Sequence, residues 1–437
     1  MKAQLISIGN ELLMGDTVNT NASWLGQFLY ERGIQVQKIQ TVTDDKQAIT
    51  QALVDAMDSA ELIISTGGLG PTLDDITKKC LAEYFNVGLV HVPEVEAHIK
   101  AIFKRRNLEY SNSNQAQAYI PVNATLLFNA AGTAPGMLFQ EKNTWLIVLP
   151  GVPHEMKHIM SEVVAPKLHN LGALDVLETR YLKIAGVGES HLADFWLSDL
   201  SNYLKDGLDI AFLPSTGQVS LRLTARAHEK EEAVQAVESF ASFIRERLGG
   251  LIYSEDKEES LAAALGRVLQ TEKYSIATAE SCTGGLMGHL LTETPGSSAY
   301  YEGGVISYDN QVKIDHLGVL PADLASHGAV SAPVALAMAK GVAERLGTDI
   351  GISATGIAGP DGGSLEKPVG TVWLGFFTPS EHFAVRADFS HNRSLNKVRS
   401  AITAFEIARR TLLGMDSVPY ELKKITPDML ADEKPEF

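Results

Sequence analysis

The sequence predicts an α/β protein in which two α/β domains, the first of them doubly wound, are joined by a small α+β module. Short apolar runs alternate with amphipathic segments through the first 170 residues, which is typical of parallel strands connected by helices. The pattern changes between about residues 180 and 254, and strand–helix alternation returns after a charged segment at 255–259. At about 150 residues per domain, a chain of 437 residues has room for about three domains.

Hydrophobic spacing predicts the N-terminal elements. Residues 5–8, 34–42 and 62–64 are predicted strands, and residues 22–30 repeat apolar side chains at helical spacing. Asp44 and Asp45 can cap a helix that continues to Met57, and another helix passes through Cys80 and Phe85. In a doubly wound sheet, ligands bind at the C-terminal ends of the strands. We therefore expect the glycine-rich turns after these strands to form a site.

Hydrophobic spacing also predicts the strands and helices of the rest of the chain. In the middle module, 181–185 and 219–224 are predicted strands, and 192–200 and 232–248 are predicted helices. It has no cluster of chemical groups, so we interpret it as a spacer or a dimerisation element. Further on, the predicted strands are 275–278, 305–308, 350–354, 371–377 and 383–389, and the predicted helices include 333–346 and 395–413. The predicted boundaries are 1–172, 178–254 and 257–415 for the domains, and 416–437 for a loose tail.

Composition excludes several classes of function. The chain has 37 Lys and Arg residues against 53 Asp and Glu, a formal net charge of −16. Sequence-independent binding to phosphate backbones requires surplus positive charge, so we expect no direct nucleic-acid binding. The two cysteines, Cys80 and Cys282, provide neither a disulfide framework nor a cysteine-based zinc site. No apolar run approaches the ~20 residues that span a membrane, and Glu11 comes too early for a signal peptide. We therefore expect a cytoplasmic protein with no membrane partner.

A glycine-rich turn follows the third predicted strand. Residues 65–75 read Ser-Thr-Gly-Gly-Leu-Gly-Pro-Thr-Leu-Asp-Asp and begin a helix, so their glycines and free N–H groups suit a phosphate. The predicted binding residues are Thr66, Gly67 and Gly68. Two carboxylates beside a phosphate would repel it unless a divalent cation bridges them. Alternatively, this is a tight turn in which Asp74 and Asp75 complement the helix dipole.

Further acidic residues favour the metal. Several lie at predicted strand ends or turns that this fold brings to one edge, among them Asp16. The predicted metal ligands are Asp74, Asp75, Glu11, Asp44 and Glu155. His154 is interpreted as structural. The turn is neither a Walker A loop, since no Gly-Lys-Ser/Thr follows, nor a G-x-G-x-x-G nucleotide fingerprint.

A second turn carries a candidate nucleophile. Residues 279–285 read Ala-Glu-Ser-Cys-Thr-Gly-Gly, directly after a predicted strand and at the start of a helix. Ser281 is exposed at such a corner, and the following N–H groups can form an oxyanion hole. The predicted oxyanion-hole residues are Thr283, Gly284 and Gly285. Cys282 is the rival nucleophile, because its pKa could fall at a helix start. Alternatively, Ser281 is a helix N-cap.

A serine nucleophile needs a base, and no histidine lies at a suggestive position. Lys313 follows a predicted strand where a helix begins, and Ser–Lys pairs are an established variant of the catalytic triad. Lysine can act as a base only where burial or neighbouring cations lower its pKa; otherwise Lys313 is a solvated helix residue. The loop 355–363 is a second glycine-rich turn that follows a strand, and Arg393 and Arg399 could bind a phosphate bidentately.

Taken together, these segments resemble the full-length CinA (competence/damage-inducible protein A) family over nearly the whole chain. Residues 9–13 and 66–75 resemble the molybdopterin-binding, MoaB/MogA-like domain of that family. Residues 279–285, 304–313 and 356–363 resemble its C-terminal domain, also called PncC. The middle module resembles the KH-like linker of the family, which the resemblance connects with a homodimer rather than with RNA.

The resemblance implies two activities in pyridine-nucleotide salvage. The C-terminal domain would hydrolyse nicotinamide mononucleotide to nicotinate mononucleotide and ammonia without a cofactor, using Ser281 and Lys313, with Tyr308 relaying a proton. The substrate phosphate would account for Arg393 and Arg399, and its ribose for Thr355 and Gly356. The N-terminal domain would hydrolyse ADP-ribose to AMP and ribose 5-phosphate with a divalent metal ion.

Two alternatives belong to other classes. The N-terminal domain could be a pterin-binding or molybdenum-transfer module without hydrolysis. The whole chain could be a non-catalytic partner-binding protein in DNA uptake or the damage response, as the name of the family suggests.

Overall fold

The computed structural model describes residues 1–72, 75–168, 176–204, 207–415 and 418–432. The chain forms two compact units, one of Met1–Glu178 with Arg226–Val234 and one of Thr179–Ala225 with Gln235–Phe437. Both units combine helices with sheets, so the predicted α/β class is confirmed.

The first unit is built on a six-stranded sheet beside a two-stranded one. Its strands are β1 (Lys2–Ile8), β2 (Gln35–Val42), β3 (Leu62–Thr66), β4 (Leu89–His91), β5 (Tyr119–Pro121), β6 (Thr125–Leu127), β7 (Gly136–Glu141) and β8 (Thr144–Leu149). The large sheet has the order β2-β1-β3-β8-β7-β6. Pairing is parallel from β2 through β8 and antiparallel at β7 and β6. The C-terminal ends of β1, β2, β3 and β8 therefore lie along one edge.

Helices cover both faces of this sheet. They are α1 (Asn10–Met14), α2 (Thr20–Tyr30), α3 (Lys46–Met57), α4 (Thr77–Tyr84), α5 (Pro93–Arg105), α6 (Asn112–Ala116), α7 (Pro153–His158) and α8 (Ala165–Leu168), with a π-helical turn at Ile159–Val164. Along β1, Leu5 packs with α2 and α7, whereas Ile6 and Ile8 pack with α3 and α4. This alternation explains why the strand reads as an apolar run: both faces are buried.

The second unit contains a four-stranded sheet and a six-stranded sheet. Its strands are β9 (Val176–Ala185), β10 (Leu208–Ser215), β11 (Gln218–Ala227), β12 (Ile252–Ser254), β13 (Ile276–Glu280), β14 (Tyr301–Ile306), β15 (Ile350–Gly356), β16 (Thr371–Phe377), β17 (His382–Asp388) and β18 (Lys424–Ile425). The sheet orders are β10-β11-β9-β12 and β14-β13-β15-β16-β17-β18. In the larger sheet only β14, β13 and β15 are parallel.

The helices of the second unit pack on these sheets. They are α9 (Glu189–His191), α10 (Leu200–Tyr203), α11 (Lys230–Leu248), α12 (Leu261–Glu272), α13 (Leu286–Thr292), α14 (Asn310–Leu317), α15 (Pro321–His327), α16 (Ala332–Leu346), α17 (Arg393–Leu412) and α18 (Pro427–Asp432). A π-helical turn at Leu192–Trp196 occupies most of the helix predicted at 192–200. The 20-residue helix α17 packs against α12 and β16.

The prediction of a loose tail at 416–437 is wrong for much of its described part. Strand β18 pairs antiparallel with β17, joining Ile425 to Ala384. Ile425 and Leu430 pack against an apolar cluster that includes Leu336 of α16 and Ala384 of β17. These two apolar side chains are covered by packing on the sheet and on α16, so they anchor the segment. The charged residues around them give the segment the composition of a loose tail, which explains the wrong prediction.

Candidate active sites

The turn after β13 presents Ser281. Its backbone N–H donates to the Ala354 carbonyl at 2.9 Å, which ties the turn to the neighbouring strand β15. Gly284 and Gly285 have φ values of 60° and 94°, a left-handed conformation that glycine adopts without a steric cost. The chain can therefore reverse tightly enough to begin α13 immediately afterwards.

A buried carboxylate holds this turn. Glu280, which is 2% exposed, accepts hydrogen bonds from the N–H groups of Gly285 (2.9 Å), Met287 (3.0 Å) and Gly288 (2.8 Å). A buried carboxylate needs such donors. The expectation that the Gly285 amide serves an oxyanion is therefore wrong, because Glu280 already occupies it. The N–H groups of Thr283 and Gly284 remain as candidates.

Lys313 lies at the start of α14, which Asp309 caps by accepting from the Gln311 N–H at 2.7 Å. Its side chain is 1% exposed, and its Nζ donates to the carbonyls of Ser307 (2.7 Å) and Tyr308 (3.3 Å). Burial lowers the pKa of Lys313 from the ordinary lysine value, because desolvation disfavours the ammonium form. Lys313 is thus a buried residue rather than a solvated one.

The surroundings of Cys282 disfavour the thiolate that a cysteine nucleophile requires. Its side chain packs in the core with Met287 and Leu291 of α13. Burial raises the pKa of its thiol to about 12, so the thiolate is scarce at neutral pH. The predicted fall of this pKa at a helix start is wrong, since desolvation and the nearby Glu280 outweigh the backbone N–H groups.

Ser281 and Lys313 line one cavity of about 180 Å³. The other lining residues are Cys282, Tyr308, Asn310, Ala329, Val330, Thr355, Gly356, Ala358 and Arg393. Most residues predicted for the C-terminal site therefore meet here. Thr355 is held by its hydroxyl, which donates to the Ala329 carbonyl at 2.8 Å. Asn310 is an additional polar lining residue that the sequence analysis did not select.

Helix α17 contributes two cations to this region. Arg393 donates to the Gly359 carbonyl at 2.9 Å and to the Tyr308 hydroxyl at 3.3 Å. A Cβ on Gly284 would lie 3.8 Å from Nζ of Lys397. Arg393 and Lys397 are four residues apart, so they share one face of the helix.

Arg399 does not join the Ser281 cavity and instead lines another cavity. Its six-residue separation from Arg393 corresponds to a rotation of about 240° around the helix. The predicted pairing of Arg393 with Arg399 on one phosphate is therefore wrong. Helical spacing alone identifies Lys397, which the sequence analysis missed, as the better partner of Arg393.

In the first unit, the predicted glycine-rich turn directly follows β3. A Cβ on Gly67 would collide with the carbonyl oxygen of Ile8 on the adjacent strand. The Thr77 hydroxyl donates to the Gly67 carbonyl at 3.1 Å, and the Thr77 N–H bonds the Gly68 carbonyl at 3.2 Å. Glycine is therefore required for the turn to pass close to β1 and begin α4. Thr66, which precedes it, is buried.

Three of the predicted metal ligands have separate local partners. Asp75 accepts from the Thr72 N–H at 2.9 Å and from the Thr72 hydroxyl. Asp44 accepts from the Asn10 N–H at 2.8 Å, and buried Glu155 accepts from Asn129 Nδ2 at 2.6 Å. Glu11 lies in the first turn of α1. Asp74 lies outside the described residues.

Within the described ranges, no group of three or more His, Cys, Asp and Glu side chains could hold a metal ion. The prediction that Glu11, Asp44, Asp75 and Glu155 come together as one ligand set is therefore wrong, since these side chains do not form such a group in the described part of the chain.

Lys78 is a residue that the sequence analysis missed in this region. It is 9% exposed, and its Nζ donates to the carbonyls of Ala116 (2.7 Å) and Tyr119 (3.2 Å). Burial lowers its pKa to about 8, with the Asp75 carboxylate acting in the opposite direction. No sequence signal marks it, since a lysine in an amphipathic helix normally faces water.

Three family models match the chain in succession. The model described as "Probable molybdopterin binding domain" matches residues 4–170, that of the damage-inducible protein CinA KH domain matches 179–254, and that of the CinA C-terminal domain matches 258–412. A CinA-like protein from Salinibacter ruber is 45% identical over 94% of this chain and 100% of its own length. The chain belongs to the CinA family.

Other CinA relatives match either nearly the whole chain or a part of it. A CinA-like protein from Microcystis aeruginosa is 43% identical over 95% of this chain and 100% of its own. A crystal structure titled as CinA with unknown function, from Thermoplasma acidophilum, is 34% identical over 39% of this chain and 98% of its own, with a TM-score of 0.35. Among the described residues of this CinA-family chain, no helix is long and apolar enough to cross a membrane.

Proposed function

We propose that the C-terminal domain hydrolyses nicotinamide mononucleotide to nicotinate mononucleotide and ammonia, with Ser281 as nucleophile and Lys313 as general base. The observation that carries this proposal is the burial of Lys313 in the cavity that Ser281 also lines. Burial favours the neutral amine, which is the form that can accept the serine proton.

The two carbonyl partners of Lys313 suit a base. A neutral amine has two N–H bonds and one lone pair, and the carbonyls of Ser307 and Tyr308 accept two N–H bonds. The lone pair is then left for a third direction. In the proposed first step it takes the proton of the Ser281 hydroxyl while Oγ bonds to the carboxamide carbon, and the carbonyl oxygen becomes an oxyanion.

The intermediate then loses ammonia. The oxyanion would be stabilised by the N–H groups of Thr283 or Gly284, since the Gly285 N–H is bonded to Glu280. As the C–N bond breaks, the Lys313 ammonium returns its proton to the leaving nitrogen, which leaves an ester on Ser281. Neutral Lys313 next removes a proton from water, which attacks this ester. As the ester bond breaks, the Lys313 ammonium gives this proton to Ser281 Oγ, and the products are nicotinate mononucleotide and the regenerated serine hydroxyl.

Positive charge at the rim would hold the substrate phosphate. Arg393 and Lys397 share a face of α17, and Arg393 already donates to the exposed Tyr308 hydroxyl. Binding pockets for whole drug-sized ligands are usually about 300–1,000 Å³, so a cavity of about 180 Å³ accommodates mainly the reacting end of a nucleotide. The phosphate would remain near these cations, where charge-assisted hydrogen bonds are strong.

Product analysis tests this activity. We expect the full-length protein to convert nicotinamide mononucleotide to nicotinate mononucleotide and ammonia in equal amounts, measured by chromatography and an ammonia assay. Release of free nicotinamide would indicate cleavage of the glycosidic bond and contradict the amidase proposal. Lys313→Ala provides a control for contaminating host enzymes, because it should lose the activity.

For the N-terminal domain we propose hydrolysis of ADP-ribose to AMP and ribose 5-phosphate. The turn at Thr66, Gly67 and Gly68 would bind the diphosphate, and Asp75 with Asp74 would hold a divalent ion. When bound, that ion would neutralise the diphosphate and polarise it toward attack by water. Buried Lys78 would anchor the segment 116–119 beside this turn through its two carbonyl contacts.

The assay of this domain uses the full chain with ADP-ribose, with and without Mg²⁺ or Mn²⁺. Formation of AMP only with a metal supports hydrolysis.

A second candidate function is pterin binding without turnover, which is favoured by the match of residues 4–170 to a molybdopterin-binding family. Binding of ADP-ribose without cleavage under every metal condition would favour this second candidate and contradict the first.

A further inference from the structure

A second cavity in the C-terminal unit lies between its two sheets. Its volume is about 390 Å³, larger than that of the cavity at Ser281. The loop after β9 and the β10–β11 hairpin contribute one side, including Ser215 and Gln218. The end of β17 and helix α17 contribute the other side, including Phe389 and Arg399. This cavity has the size of a pocket for a small organic ligand.

Tyr420 lines this cavity and is hydrogen-bonded to two of its neighbours. Its hydroxyl donates to the Gly217 carbonyl at 3.0 Å at the tip of the hairpin, and its N–H donates to the Gly186 carbonyl at 2.7 Å after β9. Tyr420 is thus held through its backbone N–H at one end and through its hydroxyl at the other. Together with Phe389 it gives the cavity two aromatic side chains, which suits a flat ring.

Arg399 provides the cavity with a cation. Among the parts of the chain that the structure describes, no hydrogen bond or ion pair joins its guanidinium group to another residue. By contrast, Arg410 in the adjoining cavity is 3% exposed and donates to Glu406 at 2.7 Å and to the Ala185 carbonyl at 2.9 Å. Arg410 is therefore already occupied, and Arg399 is the group that can bind an anion.

Two carboxylates also line the cavity, and neither opposes an anion strongly. Asp388 lies 3.1 Å from Arg386 and accepts from the Thr371 hydroxyl at 3.1 Å, so its charge is compensated. Glu189 is exposed at the start of α9, where water screens its charge. A carboxylate at this position can accept hydrogen bonds from sugar hydroxyls.

We propose that this cavity is a second ligand site, which binds a nucleoside monophosphate with its phosphate on Arg399 and its ring against Tyr420 and Phe389. The site is separate from the Ser281 cavity and does not depend on the proposed amide or diphosphate hydrolysis. It assigns a role to Arg399, whose position on α17 excludes it from the Ser281 cavity.

Titration calorimetry on the full-length protein tests the proposal, with AMP, adenosine and inorganic phosphate as separate probes. We expect Arg399→Gln to weaken one AMP-binding event by about tenfold or more, since a hydrogen bond to a charged group is worth roughly 1.5–3 kcal/mol. Arg399→Lys should weaken it less. Arg345→Gln, which removes an exposed cation from α16, should leave this event unchanged.

A blocking variant provides an independent measurement. Ser215→Trp places a large ring at the tip of the hairpin and should abolish the same AMP-binding event. The proposal is overturned if Arg399→Gln binds AMP as tightly as the wild-type protein, or if Arg345→Gln weakens binding equally. It is also overturned if adenosine binds as tightly as AMP, because the phosphate then makes no contribution.

Discussion

The carboxylate of Glu280 accepts a hydrogen bond from the backbone N–H of Gly285 at 2.9 Å, across the turn that carries Ser281. The same carboxylate bonds two further N–H groups at the start of α13. Glu280 therefore acts as a positioning residue: it sets the path of the turn without lining the cavity. It also removes one N–H group from the set that could stabilise an oxyanion.

We predict that Glu280→Gln lowers kcat for amide hydrolysis by about tenfold or more and changes KM little. The glutamine amide has one acceptor oxygen and a nitrogen that carries only donors, so it cannot accept all three N–H groups. The turn would relax, and a displacement of about 1 Å at a reacting atom is costly. Steady-state kinetics on the folded variant measure this separation of kcat from KM.

The matched control is Glu302→Gln on the exposed face of β14, which should retain both constants. Glu280→Asp should recover part of the lost kcat, because it keeps the charge. An unchanged kcat in Glu280→Gln, with unaltered stability, would show that the turn does not need this carboxylate.

The pH dependence of kcat/KM should report the deprotonation of Lys313. Because burial lowers its pKa in the folded protein, the neutral base should appear as the pH rises, with a midpoint below the ordinary lysine value of about 10.4. We predict that kcat/KM rises with pH through this midpoint and then levels off. Lys313→Arg should lose at least about 100-fold, since a guanidinium group remains protonated and cannot accept a proton.

Lys340→Ala, at an exposed position of α16, is the control for the loss of a lysine and should keep the wild-type profile. A flat profile for the wild-type protein between pH 6 and the ordinary lysine pKa would contradict a base with a lowered pKa. Equal activity of Lys313→Arg and the wild-type protein would remove this residue from the proton transfer.

The N-terminal proposal predicts a separation of the two activities. Asp75→Ala should abolish metal-dependent cleavage of ADP-ribose and leave amide hydrolysis intact, because Ser281 and Asp75 belong to different compact units. Asp55→Ala, which removes an exposed carboxylate from α3, should retain both activities. Loss of both activities in Asp75→Ala would indicate misfolding, and unchanged cleavage would remove Asp75 from the mechanism.

The resemblance of the middle module to the CinA linker predicts a homodimer. Light scattering coupled to size exclusion should give a mass near twice the 47.2 kDa of the chain. A mass of one chain at micromolar concentration would contradict this prediction.

Local patterns in the sequence were sufficient to predict the strands and helices that bring Ser281 and Lys313 to their cavity. Each follows a parallel strand of the same sheet, and strand–turn–helix corners have recognisable glycine and apolar spacing. The helical periodicity of α17 could also have been used to choose the cations, because it places Lys397 and Arg399 on different faces of the helix. The error there came from counting positive charges near a helix start without assigning them to faces.

Other features depend on which side chains the folded structure buries. The N–H group of Gly285 looks available until the buried side chain of Glu280 is seen to bond it. The thiol of Cys282 gains its high pKa from core packing with α13. Lys78 is buried because its partners are the carbonyls of Ala116 and Tyr119, about forty residues away. Such burial is set by tertiary structure and has no local sequence signal.

The identity of the nucleophile is the central claim, and turnover of nicotinamide mononucleotide by two neighbouring alanine variants tests it most directly. Ser281→Ala should release no nicotinate mononucleotide, because it lacks the attacking oxygen. Cys282→Ala should keep most of the wild-type rate, because its protonated, buried thiol contributes mainly packing. Circular dichroism would confirm that both variants are folded. Full activity in Ser281→Ala together with no activity in Cys282→Ala would contradict the serine mechanism.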